Sequence, residues 1–400
     1  MENHITRRHA LALTSAAFAT SCADNKGISA RSAAPEPAPN LDTWSEGVPL
    51  PFPAQEIYPC AHSGKIHLAG GFIAENGRIT GPTAAHHYFS PDPFRNFTKW
   101  LSGIALPTAR HHPHMISFDG KLLALAGFES HSEQATWIMQ KSCWREQGRS
   151  ISQSQTDVFD DDGVRILDRI CVSSIKCEVG KDNGVQENCI GSCESLEFQP
   201  MSALPSPCAE AVVGVTGNNT LHLAGGRTPK GEANANWNDH IDTDHHFVLT
   251  NLNSQWETAA PCLTKRNSAA GDVIDGNLHV VGGRTVGGGN VATHEVYDHA
   301  EDRWRTAAPM PQAQGGLAAA AVNGKLYAFG GEFFDNGGGV YKEAWAYVPA
   351  TDAWSSLPDM PNPRHGLGAV ALDGKIYVIG GALQASGVDT SNIVDIFTPD

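Results

Sequence analysis

Residues Lys375 to Gly381 read KIYVIGG, a short apolar run that ends in a glycine doublet. Five other stretches copy it: KIHLAGG ending at Gly71, KLLALAG at Gly127, TLHLAGG at Gly226, NLHVVGG at Gly283 and KLYAFGG at Gly331. A lone aromatic stands upstream of each: Trp44, Trp100, Phe198, Trp256, Trp304 and Trp354. Its distance to the second glycine is 27 residues in five repeats and 28 in the one that begins at Phe198. Seven residues before that glycine stands another in five repeats (Gly64, Gly120, Gly276, Gly324, Gly374), mostly within Asp-Gly or Asn-Gly. That dipeptide signals a type I′ hairpin, because both central residues need positive φ. Asn218-Asn219 replaces it in the longer repeat, and Asn tolerates the left-handed region better than most. Six recurrences of one register make this a repeat protein.

Each unit reads as four short strands. An aromatic strand leads through a Pro-containing loop to an apolar strand, then the hairpin and the run ending in the doublet. After a loop of variable length comes a fourth strand, such as HEVYD or EAWAY. The Gly doublet, the later tyrosine (Tyr297, Tyr347) and the Trp seven residues beyond it (Trp304, Trp354) resemble the Kelch repeat. The resemblance covers about 41–400 and implies an all-β fold, a six-bladed Kelch β-propeller with four strands per blade around a central channel. The tail SNIVDIFTPD stops where other repeats continue to their Trp strand, and LDTWSEG at the start supplies that piece. The expectation is a ring closed by an N-terminal strand completing the last blade, with no open edge between first and last blades.

One interval breaks the register. From Gly127 to Phe198 the gap is 71 residues, against 21 to 30 elsewhere. A seventh blade launched by Trp144 would need a glycine near Cys171 and has none, so 143–194 reads as an acidic insertion within blade two. It holds Cys143, Cys171, Cys177, Cys189 and Cys193, without the C-x2-C spacing common in zinc sites. Disulfides, zinc and reduced thiols all stay open, with Cys208 and Cys262 as further partners for the odd thiol. The run Asp160-Asp161-Asp162 lacks the first ligand of an EF-hand loop, since Val158 stands there.

The 28 Lys+Arg against 43 Asp+Glu give a net charge of -15, which excludes a general nucleic-acid binder. No apolar run reaches the roughly 18 to 20 residues of a membrane-spanning helix. Residues 1–22 have the layout of an export signal, with Arg7-Arg8 ahead of a short apolar stretch. The twin arginine resembles the export class whose passengers cross folded, which predicts a periplasmic or cell-envelope location. Ala17-Phe18-Ala19 offers a cleavage site, and Ala19-Thr20-Ser21-Cys22 offers a lipobox that would anchor Cys22. Residues 23–40, with Pro35, Pro37 and Pro39, form a linker.

Function in a propeller sits on loops at one channel mouth. Two repeat columns are expected there. The residue after each doublet gives Phe72, Phe128, Arg227, Arg284, Glu332 and Ala382; ten residues after each aromatic come Ala54, Arg110, Cys208, Arg266, Gln314 and Arg364. The Kelch resemblance implies that Arg110, Arg227, Arg266, Arg284 and Arg364 surround one opening, with Glu332 among them and His365 beside Arg364. Guanidinium pairs bidentately with carboxylate, so an anionic small molecule, glycan or acidic peptide is the expected guest. Arginine after proline also serves as a bridge to a neighbouring carboxylate, which is the structural alternative for the second column. The segment His240-x-Asp242-x-Asp244-His245-His246 invites a metal, but alternate strand residues face opposite ways, so no metal or cofactor is expected. Two functions remain: a binding module, or a sugar mutarotase on an acidic sugar such as N-acetylneuraminate, with Glu332 or His365 as acid/base and Arg284 as anchor. A copper radical oxidase of the galactose oxidase kind has seven blades, extra domains and a Cys–Tyr cross-link, and the six blades expected here tell against it.

Overall fold

The computed structural model describes residues 42–91, 99–129, 136–143, 194–231 and 237–400. Apart from four short 3-10 turns, the elements among them are antiparallel strands, and six sheets have four strands each. The first sheet is Cys60–His62, Lys65–Ala69, His86–Phe89 and Leu101–Ser102. The second is His114–Phe118, Lys121–Leu125, Thr136–Cys143 and Glu194–Pro200. The third is Val212–Val215, Leu221–Ala224, His246–Leu249 and Glu257–Thr258. Ala270–Ile274, Asn277–Val281, His294–Asp298 and Arg303–Thr306 make the fourth. The fifth is Ala318–Val322, Lys325–Phe329, Ala344–Val348 and Ala353–Ser356. In the sixth, Gly368–Leu372, Lys375–Ile379 and Val394–Thr398 are joined by Thr43–Glu46 from the other end of the chain, with Trp44 opposite Phe397.

The local chemistry follows the repeat. Asp373 and Gly374 both have positive φ, 52° and 73°, as a type I′ turn requires. The first strand of each sheet touches that of the next, and the sixth touches the first. Together they line a central cavity of about 370 Å³. Crowding there selects small side chains: a Cβ on Gly271 would lie 2.0 Å from the His279 carbonyl oxygen and 2.8 Å from Val212. Between sheets lie apolar clusters, such as Phe118, Leu123 and Leu125 against Leu221, Leu223 and Phe247. Cys143 pairs with Glu194 across the last ladder of the second sheet, so the two ends of the long interval stand side by side. Residues 144–193 between them, with Cys171, Cys177, Cys189 and Cys193, lie outside the described residues, as do the export signal and linker of 1–40.

Four of the repeat tryptophans tie their sheet to its predecessor. Trp100 Nε1 donates to the Val48 carbonyl (2.9 Å), Trp304 to Ala260 (2.9 Å) and Trp354 to Ala308 (2.8 Å). Each acceptor stands four residues beyond the preceding repeat's Trp. Trp44 donates to Pro358 at 3.1 Å, four residues beyond Trp354, and so acts as its successor. Its ring meets Phe397 and Phe329 at 5.0 and 5.5 Å. Unlike Trp100, Trp256 and Trp304, which are buried, Trp44 and Trp354 are half-buried. Trp44→Ala is therefore expected to cost about 2–3 kcal/mol, below the 3–5 of a fully buried aromatic. Denaturant titration checks this, and an unchanged midpoint would contradict the tie.

Three sheets also bury histidine pairs. His67 Nδ1 meets His86 Nε2 at 3.0 Å, His222 meets His246 at 2.8 Å and His279 meets His294 at 3.0 Å, through the same atoms. The second member of each pair donates Nδ1–H to a carbonyl, of Ile104, Ala260 or Ala308. Each partner ring nitrogen then has one proton to share, so the pairs are neutral. Burial, with the neighbouring imidazole adding to it, pushes His67, His222 and His279 down to about 3. Burial takes His86, His246 and His294 down to about 4. With folded values below the unfolded one of about 6.5, their stabilisation is full above pH 6.5 and is lost as pH falls. Each neutral imidazole forfeits about 1.4 kcal/mol per pH unit below that point. Unfolding free energy measured from pH 7 to 4.5 should fall steeply, and a flat profile would contradict neutral buried pairs.

Candidate binding site

Twelve residues after each repeat aromatic the backbone enters the left-handed region. Those positions are Glu56, His112, Glu210, Ser268, Gly316 and Gly366, with φ of 54°, 58°, 57°, 49°, 70° and 58°. They are joined around the axis by main-chain bonds: Glu56 N–H to Gly366 (2.6 Å), His112 to Glu56 (3.3 Å), Ser268 to Glu210 (3.2 Å), Gly316 to Ser268 (2.9 Å) and Gly366 to Gly316 (2.9 Å). Glycine takes this conformation freely, whereas a side chain there costs about 1–2 kcal/mol. Glu56, His112 and Glu210 are held in it by the ring. The residue just before each ring position bridges to the residue after the doublet, as in Ala209↔Arg227, Asn267↔Arg284, Gly315↔Glu332 and His365↔Ala382. This pairing brings the doublet column beside the axis.

A charged chain results. His112 Nε2 lies 3.0 Å from Glu56 and 3.1 Å from Glu210, and Arg227 Nε donates to Glu210 at 2.7 Å. Ser268 Oγ also donates to Glu210. Further round, Arg284 Nη1 pairs with Glu332 Oε1, whose other oxygen accepts the Ser386 N–H at 2.9 Å. His365 Nδ1 stands 3.4 Å from Glu332, and its Nε2 accepts the Gly387 N–H at 3.3 Å. Burial pushes the Glu56 and Glu210 carboxyls up, but His112 more than offsets this at Glu56, and Arg227 with His112 more than offsets it at Glu210. Both end below the ordinary range, Glu210 well below. Burial lowers His112, yet the two carboxylates carry it above its ordinary value.

Glu56, His112, Glu210, Arg284, Glu332 and His365 face one cavity of about 340 Å³. Its wall is aromatic: Trp237, from the 3-10 turn Trp237–Asp239, lies 4.9 Å from the Arg227 guanidinium and 5.0 Å from that of Arg284. Phe128 faces Arg227 at 5.7 Å and Phe334 faces Arg284 at 5.9 Å. Arg284 Nε is buried without an acceptor among the described residues. The site can therefore offer an anion a guanidinium edge framed by two ring faces.

The structure separates the five expected arginines into two groups. Arg284 lines the mouth cavity and Arg227 lies buried beside it against the same Trp237 ring; Arg110, Arg266 and Arg364 turn away. Arg364 is fully buried, donating to Gly380 (2.6 Å), Asn362 (2.8 Å) and Val378 (3.1 Å) carbonyls and to Asp395 (2.6 Å). Arg266 binds Glu295 at 2.8 Å and the Val280 carbonyl at 3.1 Å. Arg110 binds Glu129 and Thr108 at 3.1 Å, and the Ala126 and Gly127 carbonyls. Ten residues after the aromatic, the side chain turns back into its own sheet and holds the doublet. Two residues later it meets the axis, so the ring column went unseen for want of a two-residue step. The His240–His246 segment fans out: Asp242 accepts from Asn267 at 2.5 Å, Asp244 meets Lys265 at 3.7 Å, and His246 joins His222. Among the described residues no group of three or more His, Cys, Asp or Glu is arranged to hold a metal ion.

Replacing Arg364 by Ala leaves the buried Asp395 carboxylate with Asn362 but no cation, at an expected cost of about 3–5 kcal/mol. Trp237→Ala, in a half-exposed turn, should stay within about 1 kcal/mol of the parent. Chemical denaturation of both variants checks the division, and equal midpoints would contradict it.

The family model for the KLHDC2/KLHL20/DRC7 Kelch-repeats domain matches residues 181–381, half of the chain. No curated protein matches it. The repeated doublets, the four-stranded antiparallel sheets and this match together identify the chain as a member of the Kelch-repeat family.

Proposed function

We propose that this Kelch-repeat chain is an exported binding protein whose mouth captures an anionic ligand, an acidic glycan or peptide, on Arg284 and Arg227. Kelch repeats generally mediate binding to a partner. The observation that carries the ligand class is Arg284: it faces the 340 Å³ cavity between Trp237 and Phe334, with no acceptor for Nε among the described residues. Apolar ring faces with a few convergent polar groups are what small-ligand sites use. The architecture we propose is a six-bladed closed ring. It is supported by the cyclic contacts of the six first strands and by Trp44 standing as successor to Trp354. Export to the periplasm or cell envelope is supported by Arg7-Arg8 and the apolar stretch after them, with Cys22 as the alternative lipid anchor.

A mutarotase acting on an acidic sugar is the second reading, favoured by one observation. Glu332 and His365 are buried 3.4 Å apart in the same cavity as Arg284. Against it, both Glu332 oxygens already accept, from Arg284 and Ser386, which leaves less freedom for proton transfer. A thermal-shift screen of the protein against acidic sugars and acidic peptides tests the binding reading. A ligand at 100 times Kd should stabilise by about 2.7 kcal/mol, and Arg284→Met should abolish the shift. Shifts that survive this change would contradict the proposed anchor. Anomer exchange followed by NMR, with Glu332→Ala and His365→Ala beside the parent, decides the second reading; no exchange above background removes it.

A further inference from the structure

We propose that His112 is a proton-operated latch on the floor of the mouth cavity: its imidazolium clamps Glu56 to Glu210, and loss of its proton releases that side of the ring. The floor is this ring. Glu56, His112 and Glu210 face the mouth cavity, whereas Tyr58, His114 and Ala211, one or two residues further along, line the central one. The clamp is the barrier between the two spaces on this side of the axis.

The geometry assigns the proton. His112 Nε2 faces carboxylate oxygens at 3.0 and 3.1 Å, so it carries a hydrogen. His112 Nδ1 lies 2.5 Å from His111 Nδ1, and only one of that pair can accept. Burial, with the His112 charge next in weight, pushes His111 down to about 2, while the two carboxylates beside Nε2 favour the charge on His112. Other groups also face the clamp. Arg227 and Ser268 hold the far side of Glu210. Tyr58 sits 6.3 Å from the His112 ring, its hydroxyl kept protonated by burial and the carboxylates. His114 below is pushed down to about 3, by burial first and then by His112. His365 adds to the field at Glu56, and Phe72 is the apolar neighbour at 6.0 Å.

Without the second proton, one neutral N–H is left between two buried carboxylates, and their mutual repulsion then works with the left-handed backbone at Glu56, His112 and Glu210 against the main-chain bonds that hold them. On the other side of the axis, Ser268, Gly316 and Gly366 carry no titratable group and stay closed. Because His112 is raised in the closed state, the closed form is fully favoured below about pH 6.5 and is lost as pH rises through the higher value.

Hydrogen exchange of the full chain between pH 6 and 9, corrected for intrinsic rates, reads the latch. Opening of segments 54–58, 110–114 and 208–212 should rise about tenfold per pH unit above 6.5 until His112 has titrated. Segments 268–271 and 314–318 should not change. His112→Asn, neutral and tolerant of left-handed φ, should exchange fast at every pH. Glu56→Gln serves as a second variant and should move the step to lower pH. In parallel, the imidazole NMR signal lost in either His112→Asn or shifted in Glu56→Gln gives the His112 titration. Titration at or below 6.5, or protection unchanged while His112 titrates, would overturn the latch.

Discussion

Six left-handed backbone positions, joined by five main-chain bonds and, between His112 and Glu210, by a side-chain contact, are the constraint on which the site depends. Each lies where an inner strand begins, and each sets where the neighbouring doublet column falls. Where the position is Gly316 or Gly366 the ring costs little. At Glu56, His112 and Glu210 it holds three titratable side chains in an unfavourable conformation. Strain of this kind survives only where surrounding structure fixes it. Here the main-chain bonds of the ring and the sheets behind it do so.

Sign alternates through Glu56, His112, Glu210 and Arg227 at this mouth, and Arg284 with Glu332 forms a further opposed pair. Pairing offsets the burial of each group, which would otherwise be prohibitive. The protein's overall excess of acid is therefore not repeated in the site. What distinguishes the Arg284 side is geometry rather than net charge: aromatic faces, an unused guanidinium edge and open space.

Most of the fold was written in spacing. The Asp-Gly hairpins, the doublets and the constant aromatic distance placed the strands, because type I′ turns and close backbone approach admit few residues. Thr43–Glu46 beside Val394–Thr398 was foreseeable from the missing strand at one end and the extra one at the other. The site was less legible. Arg110, Arg266 and Arg364 look like Arg227 and Arg284 in sequence, yet their position along the strand start turns them into the sheet. Glu56, His112 and Glu210 sit two residues later, without a shared residue type to mark the column. Trp237 belongs to the loop after the doublet, whose length and sequence vary from repeat to repeat, and the histidine pairs depend on partners 15 to 24 residues apart.

The mouth needs every sheet in place, so its existence rests on the two chain ends meeting in the sixth. Thr43 lies opposite Thr398 there, at a separation a disulfide can span. In the double variant Thr43→Cys, Thr398→Cys, mild oxidation of the native protein should join these two cysteines, as peptide mapping would identify. The bond closes a loop of nearly the whole chain, so it should also stabilise by up to about 5 kcal/mol. A cross-link that forms only in denaturant, or not at all, would contradict a closed ring and the mouth built on it.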